Sequence, residues 1–75
     1  MKRILLVDDD QQFVETMSEL LRLKGYEVFT SLDCVSAIEL LDVNEIDVLI
    51  TDIVMPQYDG LELIITVREQ FPKVK

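Results

Sequence analysis

Apolar positions fall along this chain in three short runs and three longer periodic stretches, and the two kinds alternate. Ile4-Leu5-Leu6-Val7 is an unbroken apolar run that stops at Asp8-Asp9-Asp10, the pattern of a strand covered on both faces; it predicts a strand over 3–7. Phe13, Val14, Met17, Leu20 and Leu21 then recur at helical spacing. They predict a helix over 11–24, with Asp10 as N-cap and Gly25 as the stop. Tyr26-Glu27-Val28-Phe29-Thr30 alternates and is rich in aromatic and β-branched residues, so 26–30 reads as an edge strand with one polar face. Ser31 and Asp33 offer caps for a second helix over 33–42, whose stripe is Val35, Ala37, Ile38 and Leu41. Asp47-Val48-Leu49-Ile50-Thr51-Asp52 repeats the first motif, an apolar run closed by a carboxylate, and predicts a strand over 47–52; Pro56 disfavours helix at Met55. Asp59 with Glu62 forms a capping-box-like start to a helix over 60–71, carried by Leu61, Ile64, Ile65, Val67 and Phe71 and ended by Pro72.

Strands alternating with helices call for a parallel sheet with helices packed on its faces, an α/β domain spanning 1–75. Right-handed crossovers allow the third strand to lie outside the second or to return to the far side of the first. The carboxylates favour the second arrangement, a three-stranded sheet of order 2-1-3, because it gathers both acidic strand ends at one edge.

Composition narrows the function. The chain has 75 residues, 49% of them apolar, and a net charge of -8 with no basic stripe, which argues against a nucleic-acid surface. Cys34 is the single cysteine and histidine is absent, so an internal disulfide, a Cys/His zinc site and a Cys/His catalytic pair are excluded. A reducing cytoplasm fits. No apolar stretch approaches the roughly 20 residues of a membrane span, and Met1-Lys2-Arg3 runs directly into the first strand with no signal-peptide core.

A single aspartate after a strand is commonly a helix cap or a solvated turn, the reading given to Asp10. Two strands that both end in carboxylates are a more specific pattern. In order 2-1-3, Asp8, Asp9 and Asp52 would meet at the crevice where open α/β sheets bind ligands. Carboxylates gathered so closely repel, and the site must either hold protons at raised pKa or bind a cation. An all-oxygen donor set selects a hard ion, with Mg²⁺ the first choice. A remaining carboxylate oxygen could then attack a phosphoryl donor and form an aspartyl phosphate.

The segments Ile4-Leu5-Leu6-Val7-Asp8-Asp9-Asp10, Asp47-Val48-Leu49-Ile50-Thr51-Asp52-Ile53-Val54-Met55-Pro56 and Asp59-Gly60-Leu61-Glu62-Leu63 together resemble the hallmark sequence of response-regulator receiver domains, over essentially the whole chain. The resemblance implies a flavodoxin-like fold and a phosphoacceptor module of two-component signalling, not an enzyme. Carried over by residue, it makes Asp52 the phosphoacceptor, Asp9 a direct Mg²⁺ ligand, Asp8 a ligand acting mainly through water, and the Val54 carbonyl a backbone ligand. It makes Gly60 and Pro56 shapers of the loop around the phosphate, and implies a sensor histidine kinase or phosphotransfer protein as partner, docking near the first helix.

The family's hydroxyl residue at the end of a fourth strand and its lysine at the end of a fifth are not reached by Lys75. The resemblance therefore implies a truncated receiver, with the third strand an unpaired edge and a tendency to self-associate as a homodimer through it. Two other functions compete. One is a structural or self-associating fragment without phosphotransfer. The other follows from Asp8-x-Asp10 and Thr51, which faintly resemble the aspartate-nucleophile phosphatases of the haloacid dehalogenase type and would put the phosphate on Asp8; Gln12 stands where that family has threonine.

Overall fold

A computed structural model describes residues 2–51 and 60–75. The elements run β1 (Arg3–Val7), α1 (Gln11–Leu23), β2 (Glu27–Ser31), α2 (Cys34–Val43), β3 (Val48–Thr51) and α3 (Gly60–Gln70). The strands form one parallel sheet of order β2-β1-β3, the expected 2-1-3 arrangement. β1 is central, which explains its lack of polar alternation: Ile4, Leu5, Leu6 and Val7 are all buried. The crossover through α1 steps from β1 to β2, and the one through α2 steps back from β2 past β1 to β3. With the usual right-handed sense, the opposite directions leave α1 and α2 on opposite faces. Leu5 and Val7 join Cys34, Ala37 and Leu41 of α2, Ile46, and Leu63 and Val67 of α3 in one cluster. Ile4 and Leu6 point to the other face, by strand alternation, where α1 contributes Val14 and Ser18.

Local chemistry fixes the element ends. Asp10 caps α1, its Oδ1 accepting from Phe13 N at 3.2 Å, and Asp33 caps α2, accepting from Ser36 N at 2.8 Å. At the other end of α1, Gly25 N donates to Arg22 O at 3.0 Å and Tyr26 N to Leu21 O at 3.2 Å, a Schellman closure with Gly25 at φ 96°. A Cβ at Gly25 would meet nothing within 4 Å. The glycine is therefore required by backbone conformation alone. Gly25→Ala should cost about 1 kcal/mol from the left-handed penalty with no steric addition, measurable as a lower urea midpoint at unchanged slope.

Several boundaries and faces differ from the sequence reading. β2 lies at 27–31 and not 26–30, so Ser31 is a strand residue and not a cap; α2 lies at 34–43 and not 33–42 because Asp33 stays outside as its cap. α1 ends at Leu23 with Lys24 as C-cap, and α3 ends at Gln70, short of Phe71. β3 begins at Val48, because Asp47 turns aside to donate its N–H to Arg3 O at 2.8 Å while its Oδ2 accepts from Arg3 N at 2.8 Å. The proposed β3 end at Asp52 and the cap at Asp59 lie outside the described residues, as does the side chain of Leu61.

The helices also sit rotated from the stripes expected of them. Phe13, Leu20, Val35 and Ile65 lie on those periodic stripes yet are exposed, at 42%, 50%, 51% and 49%. Ser18, Cys34 and Leu63 occupy buried positions instead. Ser18 tolerates burial because its hydroxyl donates to Glu15 O at 3.0 Å.

The outer edges of the sheet are treated differently. On β2, Glu27 N turns inward to Lys2 O, so Val28 presents its carbonyl outward, and there Arg22 Nη2 covers it at 2.9 Å. On β3, Lys75 N donates to Asp47 O at 3.0 Å and Leu49 N donates to Lys75 O at 3.4 Å. These two bonds bracket Val48 as a parallel neighbour would. The expectation of an unpaired third strand is thus corrected at its first residues: the chain after Pro72 turns back and lies alongside β3.

Candidate phosphoacceptor and metal site

The site is built where β1 ends. Val7 stands in register with Ser31 on one side and Thr51 on the other, so the three strands run level at the end of β1. The chain then leaves β1 through Asp8, whose N–H donates to Ser31 O at 3.2 Å. Asp8 is half-buried, and its Oδ1 accepts from Asp10 N at 3.0 Å, an Asx turn that folds the acidic triplet back over the sheet edge. An ionised carboxylate has about four acceptor positions, so this bond leaves Asp8 capacity for a water or an ion. Asp9 is exposed at the apex of the turn, and Asp10 is committed to α1.

One turn thus gives two of these adjacent aspartates distinct settings, Asp8 braced by a backbone N–H and Asp10 used as a cap. Asp52 is the residue after Thr51 in the sequence; it and Val54 lie outside the described residues. Among the described residues, no cluster of three carboxylate, thiol or imidazole groups is gathered. Among the described residues, the acidic side chains at this edge offer oxygen donors. Cys34 belongs to the core cluster, and burial pushes its thiol up from the usual range, helped by the charges of Asp33 and Glu62. Cys34 should therefore react with a disulfide reagent at neutral pH far more slowly than a small thiol and at the ordinary rate once urea unfolds the chain; fast labelling of the folded chain would contradict that burial.

Ser31 was missed as a site residue. Its carbonyl anchors Asp8, while its hydroxyl donates to Asp33 O at 2.7 Å and accepts from Asp33 N at 3.3 Å. A polar residue just after an alternating strand reads as a cap, and nothing in spacing distinguishes it from a strand-end brace.

The model of the response regulator receiver domain matches residues 4–75. The chain belongs to that family. Two curated relatives show the match: the transcriptional regulatory protein CpxR of Escherichia coli K12 is 38% identical over 69 residues, 92% of this chain and 29% of CpxR. Response regulator MprA of a Mycobacterium species (strain KMS) is 41% identical over 61 residues, 81% of this chain and 26% of MprA. The receiver described here thus spans less than a third of those relatives' length. Among solved structures, response regulator TrrA of Thermotoga maritima, in complex with Mg²⁺-BeF, superposes with a TM-score of 0.92 at 36% identity, covering 100% of this chain and 65% of TrrA. A second structure, with the same score and coverage, has TrrA in complex with the histidine kinase ThkA. The receiver is accordingly a signalling domain of two-component systems with the doubly wound parallel fold. Among its described residues, no helix is long and apolar enough to cross a membrane.

Proposed function

We propose that this receiver is a cytoplasmic phosphoacceptor module in which Asp52 takes a phosphoryl group from a phosphohistidine on a sensor histidine kinase or phosphotransfer protein. The observation that carries the reading is the register of Val7 with Thr51, which sets the strand followed by Asp8 and Asp9 level with the strand followed by Asp52. Supporting it are the TrrA structures, one with Mg²⁺-BeF and one with a histidine kinase.

In this reading Asp9 and Asp52 hold Mg²⁺ directly with the Val54 carbonyl, and Asp8 holds it through water. The oxygen-only donor set at the β1 end fits that ion. When bound, Mg²⁺ would neutralise charge on the phosphoryl oxygens. An Asp52 carboxylate oxygen bonds to phosphorus as the phosphorus–nitrogen bond of the phosphohistidine breaks, and the electron pair and a proton end on the imidazole. Asp8 keeps its turn through the Asp10 N–H, which fixes the backbone on either side of Asp9. Little protein chemistry is needed beyond positioning, consistent with a domain that is a substrate of its kinase more than an enzyme.

Intact-mass spectrometry after incubation with Mg²⁺ and acetyl phosphate tests this. A mass gain of one phosphoryl group that disappears in Asp52→Ala and on chelation supports the reading. A gain that survives in Asp52→Ala but not in Asp8→Asn would instead favour the phosphatase-like chemistry. No gain in folded protein would reduce the domain to a binding or assembly role.

A specific feature favours self-association as a second property. Beyond Lys75 the outer side of β3 opens into a groove lined by Leu49, Ile50, Ile64 and Val67, with Ile50 41% exposed. An apolar strand flank of this kind recruits another strand. Light scattering should show concentration-dependent dimers that Ile50→Lys abolishes; a monomer at high concentration would remove the proposal.

A further inference from the structure

A cleft of about 570 Å³ opens at the opposite end of the sheet from Asp8–Asp10, outside the strand starts, between the segments 41–47 and 70–74. Its floor is apolar: Leu41 and Ile46 are buried, and Phe71 and Val74 pack against the same core. Val43 stands at the mouth, 79% exposed. Around this floor the charge is one-sided. Asp42, Glu45 and Asp47 line the cleft against the single cation Lys73. The C-terminal end of α2 faces it as well, and α2 has no basic residue in its last turn. That is the negative end of the helix dipole, where a cation is normally favoured and where Asp42 is not. The Asp47 Oδ2 accepts from the neutral Arg3 N–H at 2.8 Å.

A concave apolar surface with a carboxylate rim and a helix C-terminus complements an occupant that is apolar and positively charged. A second copy does not meet that requirement, because a chain of net charge -8 would bring more carboxylates to the rim. Nucleic acid is excluded for the same reason. We propose that this cleft docks a short peptide segment of a partner protein in which basic and apolar residues alternate, independently of any chemistry at Asp52. Apolar side chains of the segment would cover Ile46 and Phe71 while its cations meet Asp42, Glu45 and the α2 terminus.

The test is an amide chemical-shift titration of the whole chain with a synthetic hexapeptide of alternating lysine and leucine, beside its glutamate–leucine counterpart. The lysine peptide should shift residues 41–47 and 70–74 and bind more weakly as salt is raised. Asp42→Asn with Glu45→Gln, both exposed and neutral in shape, should weaken binding about fivefold, and Val43→Ser should weaken it at unchanged salt dependence. The unaltered spectrum elsewhere shows that the variants are folded. Shifts centred on Asp8–Asp10, equal binding by the glutamate peptide, undiminished affinity in the double variant, or shifts that grow with protein concentration alone would each overturn the proposal.

Discussion

Leu5→Ala is expected to remove about 3–5 kcal/mol of stability, a large part of the roughly 4–11 kcal/mol available to a domain of this size. Leu5 is 0% exposed at the middle of the central strand, in register with Phe29 on β2 and Leu49 on β3. Its side chain sits in the cluster that α2 and α3 share, so truncation leaves a cavity bounded by a sheet and two helices that cannot collapse together. Ile50→Ala is the matched control, because Ile50 lies on β3 with 41% exposure and should cost less than about 1 kcal/mol. Equal losses in urea titrations of the two variants would mean that the core is not centred on β1.

The second large effect concerns the acidic turn. If Asp9 is the Mg²⁺ ligand proposed above, Asp9→Asn should slow phosphoryl uptake from acetyl phosphate about 100-fold at limiting Mg²⁺, since it removes one ligand charge at an exposed position and leaves the core untouched. Asp10→Asn should leave the rate nearly unchanged, because asparagine caps a helix as well as aspartate does. Asp8→Asn falls between, retaining the oxygen that accepts from Asp10 N but losing the charge. The order of the three variants matters more than any one rate. An Asp9→Asn chain that is phosphorylated at the unsubstituted rate at every Mg²⁺ concentration would dismiss Asp9 as a ligand.

The element order and the 2-1-3 sheet were readable from the chain because a strand buried on both faces must be apolar throughout, and two such runs end in carboxylates at Asp8 and Asp52. The role of Asp10 as a cap was readable too, since a cap is defined by local spacing. What eluded sequence reasoning was orientation. Phe13 and Leu20 satisfy a helical period yet face outward, while Ser18 is buried through a hydroxyl bond inside its own helix, which periodicity cannot register. The apolar stripes at Val35 and Ile65 did not single out Cys34 and Leu63, because short helices allow stripes one or two positions apart and only the packing partner chooses between them. The pairing of Lys75 with β3 spans too few residues for any pattern to show. At the site itself, the bracing of Asp8 by Ser31 depends on a strand register that joins residues 23 positions apart.

The guanidinium of Arg22 on the Val28 carbonyl has a consequence for assembly arithmetic. A sheet with two receptive rims can add copies without end, as a fibre does, whereas a sheet with one rim sealed can add only once. Two receivers meeting along the part of β3 past the Lys75 pairing would present at each extremity a β2 whose Val28 carbonyl is already taken, which disfavours further addition. If receivers do pair along β3, Arg22→Ala, which bares the Val28 carbonyl, should favour assemblies longer than two.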